Sequence, residues 1–265
     1  MHPAVSRSST RSVRPAFHNG WALFLDVDGT LIDFVGHPEQ SLATPRLVGL
    51  LRDLHGLTDG ALALVSGRAI ASVDAIFAPL RLPTAGLHGH ERRDALGHTS
   101  RGSLDERVLS SAKSRLEDFV ADHPRTFVED KGAGIALHYR RDPSRASEVE
   151  KLACEIEGRL PEPFCVQRGK MVIEVRSRQS SKGTAIEAFM NESSFVGRTP
   201  VFLGDDTTDE PGFRWVNEHG GISVKVGSGN SAARFHLDSV GGVLEWLEDY
   251  AHFLRAPEGG RTHGG

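Results

Sequence analysis

Trp21 to Leu25 is an unbroken apolar run of strand length that breaks off into Asp26-Val27-Asp28-Gly29-Thr30. A strand without polar alternation is buried on both faces, which is how strands read in a parallel sheet covered by helices. Ligands of open α/β sheets bind beyond the carboxyl ends of the strands. Asp26 and Asp28 therefore stand where chemistry is expected, and Gly29 permits the tight turn behind them. An ordinary Asp-Gly turn after a strand would read the same in isolation, so the rest of the chain has to decide.

The same rhythm recurs. A helix is expected from about Thr44 to Leu54, with Pro45 in the first turn where its missing N–H costs nothing. Ala61 to Val65 is a second apolar strand, ending in Ser66-Gly67-Arg68, and a helix follows with Ile70, Val73, Ile76 and Phe77 on one face. A short third strand runs through Ala85-Gly86-Leu87. Strand and helix alternating at this spacing predict a doubly wound parallel sheet. The rhythm returns from Lys182, with a helix over 182–190, a strand from Pro200 to Leu203, a helix over 209–218, a strand from Ile222 to Val226 and a last helix over about 240–254.

Between these blocks the pattern changes. Leu104, Val108, Ala112, Leu116 and Val120 mark one amphipathic helix, and Val149, Leu152, Ala153, Ile156 and Leu160 a second. Each precedes two strand-like runs: Thr126 to Val128 with Gly134 to Tyr139, then Phe164 to Val166 with Met171 to Val175, the latter pair joined by an Arg168-Gly169-Lys170 turn. The fold class expected is thus α/β, a doubly wound parallel-sheet core over residues 20–100 and 179–255 with an inserted α/β domain over 101–178, an antiparallel sheet plus two helices. Residues 1–19, with Arg7, Arg11 and Arg14 among serines, and residues 256–265 read as disordered tails.

Composition narrows the function. The formal net charge of −4 argues against a nucleic-acid or membrane-surface role, and no apolar stretch is long enough to span a bilayer. Cys154 and Cys165 lack metal-ligand spacing and are expected as buried thiols. A cytoplasmic, monomeric protein acting on a small molecule is the expectation.

Each core strand end carries a chemically useful group: Asp26 and Asp28, then Ser66, then Gly204-Asp205-Asp206-Thr207-Thr208-Asp209-Glu210, with Lys182 opening a helix after the insertion. Singly, Ser66 and Lys182 read as solvated residues and the acidic run as a helix N-terminus. Together, converging carboxylates repel by about 4 kcal/mol per pair at about 4 Å and an effective dielectric near 20. A hard cation relieves that, and oxygen-only ligands favour Mg²⁺. A lysine and a hydroxyl beside such a centre suit phosphate oxygens, so the inferred chemistry is phosphoryl transfer.

DVDGT (26–30), the serine of VSG (65–67), the lysine of SKG (181–183) and GDDTTDE (204–210) resemble, in order, the four motifs of the haloacid dehalogenase superfamily of phosphatases. The resemblance implies a Rossmann-like core in which Asp26 is the nucleophile that forms an aspartyl phosphate and Asp28 the general acid/base. It implies that Ser66 and Lys182 hold phosphoryl oxygens. It further implies Mg²⁺ on the Asp26 carboxylate, the Asp28 carbonyl and Asp205, with Asp206 and Asp209 beside them. The insertion then resembles the larger α/β cap of that superfamily. AGLHGHERR (85–93), EDKGAGIALHYR (129–140), GKMVIEVR (169–176) and the stretch 204–227 are similar to the trehalose-6-phosphate phosphatase family, a likeness covering roughly residues 20–250. Carried over, Glu129, Lys131, Arg140, Lys170 and Glu174 bind the disaccharide. His88, in the strand entering the cap, lies near the same crevice, and it and Gly67 and Arg68, which follow Ser66, are expected among the substrate-binding residues. The first 20 residues have no counterpart in the family. Three readings compete: a capped phosphatase for another sugar phosphate (sucrose phosphate or mannosyl-phosphoglycerate), a signalling receiver module, and a sugar-phosphate-binding regulator without activity.

Overall fold

The computed structural model describes residues 14–33, 42–102 and 105–257. The chain divides into two compact units, Met1–Leu62 with Gly197–Gly265, and Ala63–Val196.

In the first unit the strands are β1 (Trp21–Leu25), β10 (Thr199–Gly204), β11 (Ile222–Val226) and β12 (Phe235–Leu237), numbered in chain order through the whole molecule. All pair in parallel, in the order β12-β11-β10-β1. Every residue of β1 is buried, as its unbroken apolar run requires. Three α-helices belong to this unit, α1 (Pro45–Leu57), α6 (Glu210–Glu218) and α7 (Val240–Arg255). Thr44 caps α1 by accepting from Leu47 N at 3.2 Å, and Leu47, Val48, Leu51 and Leu54 form its buried stripe. Arg46 of α1 holds Glu248 of α7 bidentately at 2.7 and 2.6 Å. Trp21 of β1 meets Tyr250 and Trp246 of α7, with ring centroids 4.6 and 5.6 Å apart.

That aromatic cluster corrects the expected tail. Phe17 inserts its ring 5.5 Å from Tyr250 and 5.6 Å from Trp246, and Arg14 pairs with Glu245 and Asp249. Pro15 is buried and Phe17 half-buried, so this segment is anchored by an aromatic that a Ser/Arg-rich composition concealed. The remaining tail residues, 1–13 and 258–265, lie outside the described residues, as does Leu104.

The second unit begins within β2 (Leu62–Val65) and continues with α2 (Ile70–Phe77), β3 (Thr84–Gly86), β4 (Glu91–Arg93) and β5 (Thr99–Arg101). β2 and β3 are parallel, whereas β3, β4 and β5 form an antiparallel meander. Neither β4 nor β5 is foreshadowed by the sequence, because Glu-Arg-Arg and Thr-Ser-Arg have no apolar alternation. Charge partners hold β4 instead: Arg93 grips Asp74 at 2.8 and 2.7 Å, and Glu91 accepts from Ile70 N at 3.0 Å.

The expected inserted elements follow: α3 (Glu106–Asp122), β6 (Phe127–Asp130), β7 (Gly134–His138), α4 (Ala146–Glu157), β8 (Phe164–Gly169), β9 (Val172–Ser177), then α5 (Lys182–Met190). Their four strands make a separate antiparallel sheet, ordered β6-β7-β9-β8. One face is apolar: Ile135, Leu137, Ile173, Val175, Phe164 and Val166 bury against Leu109, Ala112 and Leu116 of α3 and Val149, Leu152 and Ile156 of α4. Full burial of each such side chain stabilises by about 1.5–3 kcal/mol. The cysteines depart from expectation. Cys154 is exposed on α4 and Cys165 only half-buried, because both fall on positions that face away from this apolar seam.

Candidate active site

At the end of β1 the backbone turns sharply: Gly29 N donates to Ile32 O at 2.8 Å and Leu31 N to Val27 O at 2.9 Å. Gly29 has φ +78°, and a Cβ there would lie 2.1 Å from Asp205 Oδ2, so only glycine allows the close approach. Asp26 is buried, and its Oδ2 accepts from Thr30 Oγ1 at 3.2 Å. At the end of β10 the acidic run folds as a single 3-10 turn over Thr207–Asp209 before α6 begins at Glu210. Asp209 is fully buried, and its Oδ2 accepts from both Asp205 N and Asp206 N at 2.9 Å. Gly204 makes room for that carboxylate, since a Cβ would come within 2.3 Å of Asp209 Cγ.

Asp26, Asp205 and Asp209 thereby each offer a carboxylate oxygen, all within 4.8 Å of one another. Asp206, expected beside them, is exposed and spends its carboxylate on Thr207 N at 2.7 Å. Asp28 is half-buried, with its backbone in a bridge to Ile32. A charged residue not singled out in the sequence completes the floor. Lys225 of β11 is buried and donates from Nζ to the carbonyls of Asp205 and Val226, the latter at 2.9 Å. Its only sequence signal was a lysine inside an otherwise buried parallel strand. An all-oxygen set of three buried or half-buried carboxylates fits a hard divalent cation, which would offset their mutual repulsion.

The second unit holds the other stations. Ser66 is buried beyond β2; its Oγ accepts from Arg68 N at 3.1 Å and its carbonyl from His88 N at 3.0 Å. Lys182, also buried, is the first residue of α5, where Ser181 and Thr184 form a reciprocal cap. An ammonium set at a helix N-terminus adds to the positive end of the dipole, an arrangement suited to an anion.

His88 is not in a strand. It sits in a tight turn after β3, at φ +56°, with its ring against the Cα face of Gly67. A Cβ on Gly67 would stand 2.7 Å from His88 Cε1, so the ring in this position leaves no room for a side chain at 67. His88 Nδ1 is buried, with no hydrogen-bond partner among the described residues. Burial, and then the charges of Arg176, Lys182 and Lys131, hold this imidazole well below the usual histidine range. It is therefore neutral at physiological pH.

Gly67, His88, Lys131, Gly134, Glu174 and Arg176 line one pocket in this unit. Lys131 and Glu174 are paired across it at 2.8 Å. Glu129, Ala136, Glu174 and Gln167 form one cross-strand row on the face of the antiparallel sheet opposite its apolar side. Glu129 bonds His138 at 2.8 Å, which holds the Glu129 carboxyl below the usual range. Arg140 and Lys170 are exposed and do not line the pocket, and Arg68 is half-buried beside Ser66. Arg176 was missed as a site residue: Nη1 donates to Gln167 Oε1 at 2.9 Å and Nη2 to Ser180 O, tying β9 to the segment before Lys182.

Parallel strands that end in carboxylates, a separate antiparallel sheet backed by helices, and a helix opened by a lysine are an arrangement found in known hydrolases. The fold is shared with a haloacid dehalogenase-like hydrolase from Bacteroides thetaiotaomicron, at TM-score 0.63, 15% identity and coverage of 88% of this chain and 99% of that one. It is shared too with the C-terminal domain of C. albicans trehalose-6-phosphate phosphatase, at TM-score 0.78, 24% identity and coverage of 88% and 93%. The family model for trehalose-phosphatase matches residues 24–240, and the chain belongs to that family. It is 43% identical over 234 residues to trehalose-6-phosphate phosphatase of Escherichia coli (strain K12), covering 88% of each chain.

Proposed function

We propose that this protein hydrolyses trehalose 6-phosphate to trehalose and phosphate with Mg²⁺ as cofactor. The observation that supports the reading is the Asp26–Asp205–Asp209 carboxylate cluster in a chain of the trehalose-phosphatase family. Asp26 attacks phosphorus, the P–O bond to the sugar breaks, and Asp28 gives its proton to the departing oxygen. Asp28 then takes a proton from water as that water attacks the aspartyl phosphate, releasing phosphate and restoring Asp26. Ser66 and Lys182 are assigned to the phosphoryl oxygens, where a buried hydroxyl and ammonium favour charge built up in the transition state. Mg²⁺, held by Asp26, Asp205 and Asp209 with the Asp28 carbonyl, would supply electrostatic stabilisation of the phosphoryl group.

Residues 101–178 are read as the cap and residues 20–100 with 179–255 as the catalytic core. Within the cap, Glu129, Lys131 and Glu174 are read as disaccharide ligands; bidentate polar groups of this kind reject sugars that leave them unpaired. Arg140 and Lys170 belong to the same reading by motif position. His88, a neutral imidazole with an unused Nδ1, adds a further hydrogen-bonding group toward the sugar, beside Gly67 and Arg68. A monomeric, cytoplasmic enzyme without nucleic-acid or membrane partners completes the reading.

The test is phosphate release from trehalose 6-phosphate, sucrose 6-phosphate, glucose 6-phosphate and a mannosyl-phosphoglycerate, each with Mg²⁺ and with chelator, and with Asp26→Asn alongside. Expected are a Mg²⁺-dependent preference for trehalose 6-phosphate and loss of turnover by more than about 10³ in the variant. Preference for another sugar phosphate would discard the cap assignment, and an active Asp26→Asn would discard the covalent mechanism.

A further inference from the structure

Lys225 is an ammonium placed inside a parallel sheet, in register opposite Gly204 and next to the acidic turn. Its bonds go to two main-chain carbonyls, those of Asp205 and Val226, and no ion pair to Lys225 is found among the described residues. A buried cation is costly to desolvate unless its surroundings use it. Two features of the neighbourhood show what that use is. Asp205 is the member of the carboxylate cluster pressed against Gly29, at a separation no other residue would tolerate. Its amide is fixed from one side by Asp209 Oδ2, and Lys225 fixes its carbonyl from the other.

We infer that Lys225 is a positioning residue for the divalent-metal site, clamping the Asp205 peptide so that its carboxylate is preset against Gly29. The inference rests on the metal reading above and concerns a residue outside the ligand set. It also makes a prediction whose sign separates geometry from charge. Were Lys225 only a nearby positive charge, removing it would tighten a divalent cation. As a clamp, its removal loosens the cation, and loss of such supporting contacts typically costs about 10–100-fold in metal affinity.

The experiment is Mn²⁺ binding to the chelator-stripped full chain, followed by electron paramagnetic resonance of the free ion, for wild type, Lys225→Met, Lys225→Gln and Asp205→Asn. Lys225→Met is expected to weaken Mn²⁺ by about tenfold or more. Lys225→Gln keeps an uncharged amide NH2 as donor and should weaken it by only about two- to fivefold, a smaller share of the same loss. At saturating metal, KM for the phosphate ester should match wild type in both. Binding as tight as wild type, or tighter, in either folded variant overturns the inference. Failure of Lys225→Met to fold, by circular dichroism with and without Mn²⁺, also overturns it, by making Lys225 a residue of the fold. Wild type that binds no Mn²⁺, or Asp205→Asn that binds it equally well, overturns the metal reading itself and Lys225's role with it.

Discussion

Asp209 shows how much a single side chain can settle. In the sequence it is one of several acids in GDDTTDE and reads as readily as a first-turn carboxylate of the following helix. In the structure its Oδ2 gathers two amides and pulls the residue into full burial, while Asp206 turns outward to cap Thr207. The distinction between the two rests on backbone geometry that chemically identical residues three apart in the sequence cannot reveal. His88 is a second case, since its motif was visible but its left-handed backbone and cationic surroundings were not. Unfolded, this imidazole takes up a proton below a pH of about 6.5. Folded, it stays neutral to well below that value. The unfolded chain then binds more protons in that interval, so stability is full above about 6.5 and declines as pH falls. His88→Gln should flatten the drop in melting temperature between pH 7 and 5, measured by thermal unfolding. A profile parallel to wild type would show that other groups carry the acid sensitivity.

At the scale of elements, period and composition revealed whichever pieces bury a full apolar face. β1, α1, the two helices of the inserted segment and its four strands all stand where their patterns put them, with ends shifted by up to three residues. β6, for example, extends to Asp130 because Glu129 and Asp130 pair with Ala136 and Ile135 whatever their charge. β4 and β5 were hidden because ion pairs and ladder hydrogen bonds hold them rather than apolar side chains; Glu91 and Arg93 of β4 are buried with their charge partners. The open face of the antiparallel sheet is where the specificity reading belongs. Glu174 lies mid-row, bonded to Lys131, and Gly134 leaves the space beside it, for a Cβ there would meet Glu174 Oε1 at 2.9 Å. Glu174→Ala should lower kcat/KM for trehalose 6-phosphate by about 10²-fold or more, since loss of a charged hydrogen-bond partner costs about 3 kcal/mol. Hydrolysis of an aryl phosphate should change by less than about threefold, well under 1 kcal/mol. Equal losses on both would assign Glu174 to folding.

For the molecule as a whole, the cost of holding three carboxylates together is a stability term that a ligand can reverse. A cation bound by the folded chain alone stabilises it by about 2.7 kcal/mol at a concentration 100 times its Kd. For a chain of this size that corresponds to a rise in melting temperature of roughly 2–4 °C per kcal/mol. Mg²⁺ added to chelator-treated protein should therefore raise the melting temperature by several degrees, and Asp205→Asn should abolish most of that rise. An unchanged melting temperature in wild type at millimolar Mg²⁺ would count against the carboxylate cluster as a metal site.

The sequence by itself determined the class of fold, the order of its elements and the residue types available for chemistry. Apolar period, glycine-closed strand ends and four ordered motifs are local properties, legible without neighbours. Only the tertiary structure decided that Asp209 rather than Asp206 joins Asp26 and Asp205, that Phe17 anchors the amino-terminal segment, and that Lys225 reaches under Asp205. The last two depend on contacts between residues far apart along the chain, and the first on a local backbone turn that brings Asp209 against a carboxylate from β1, so a side chain's partner is set by the folded backbone and not by its own sequence context.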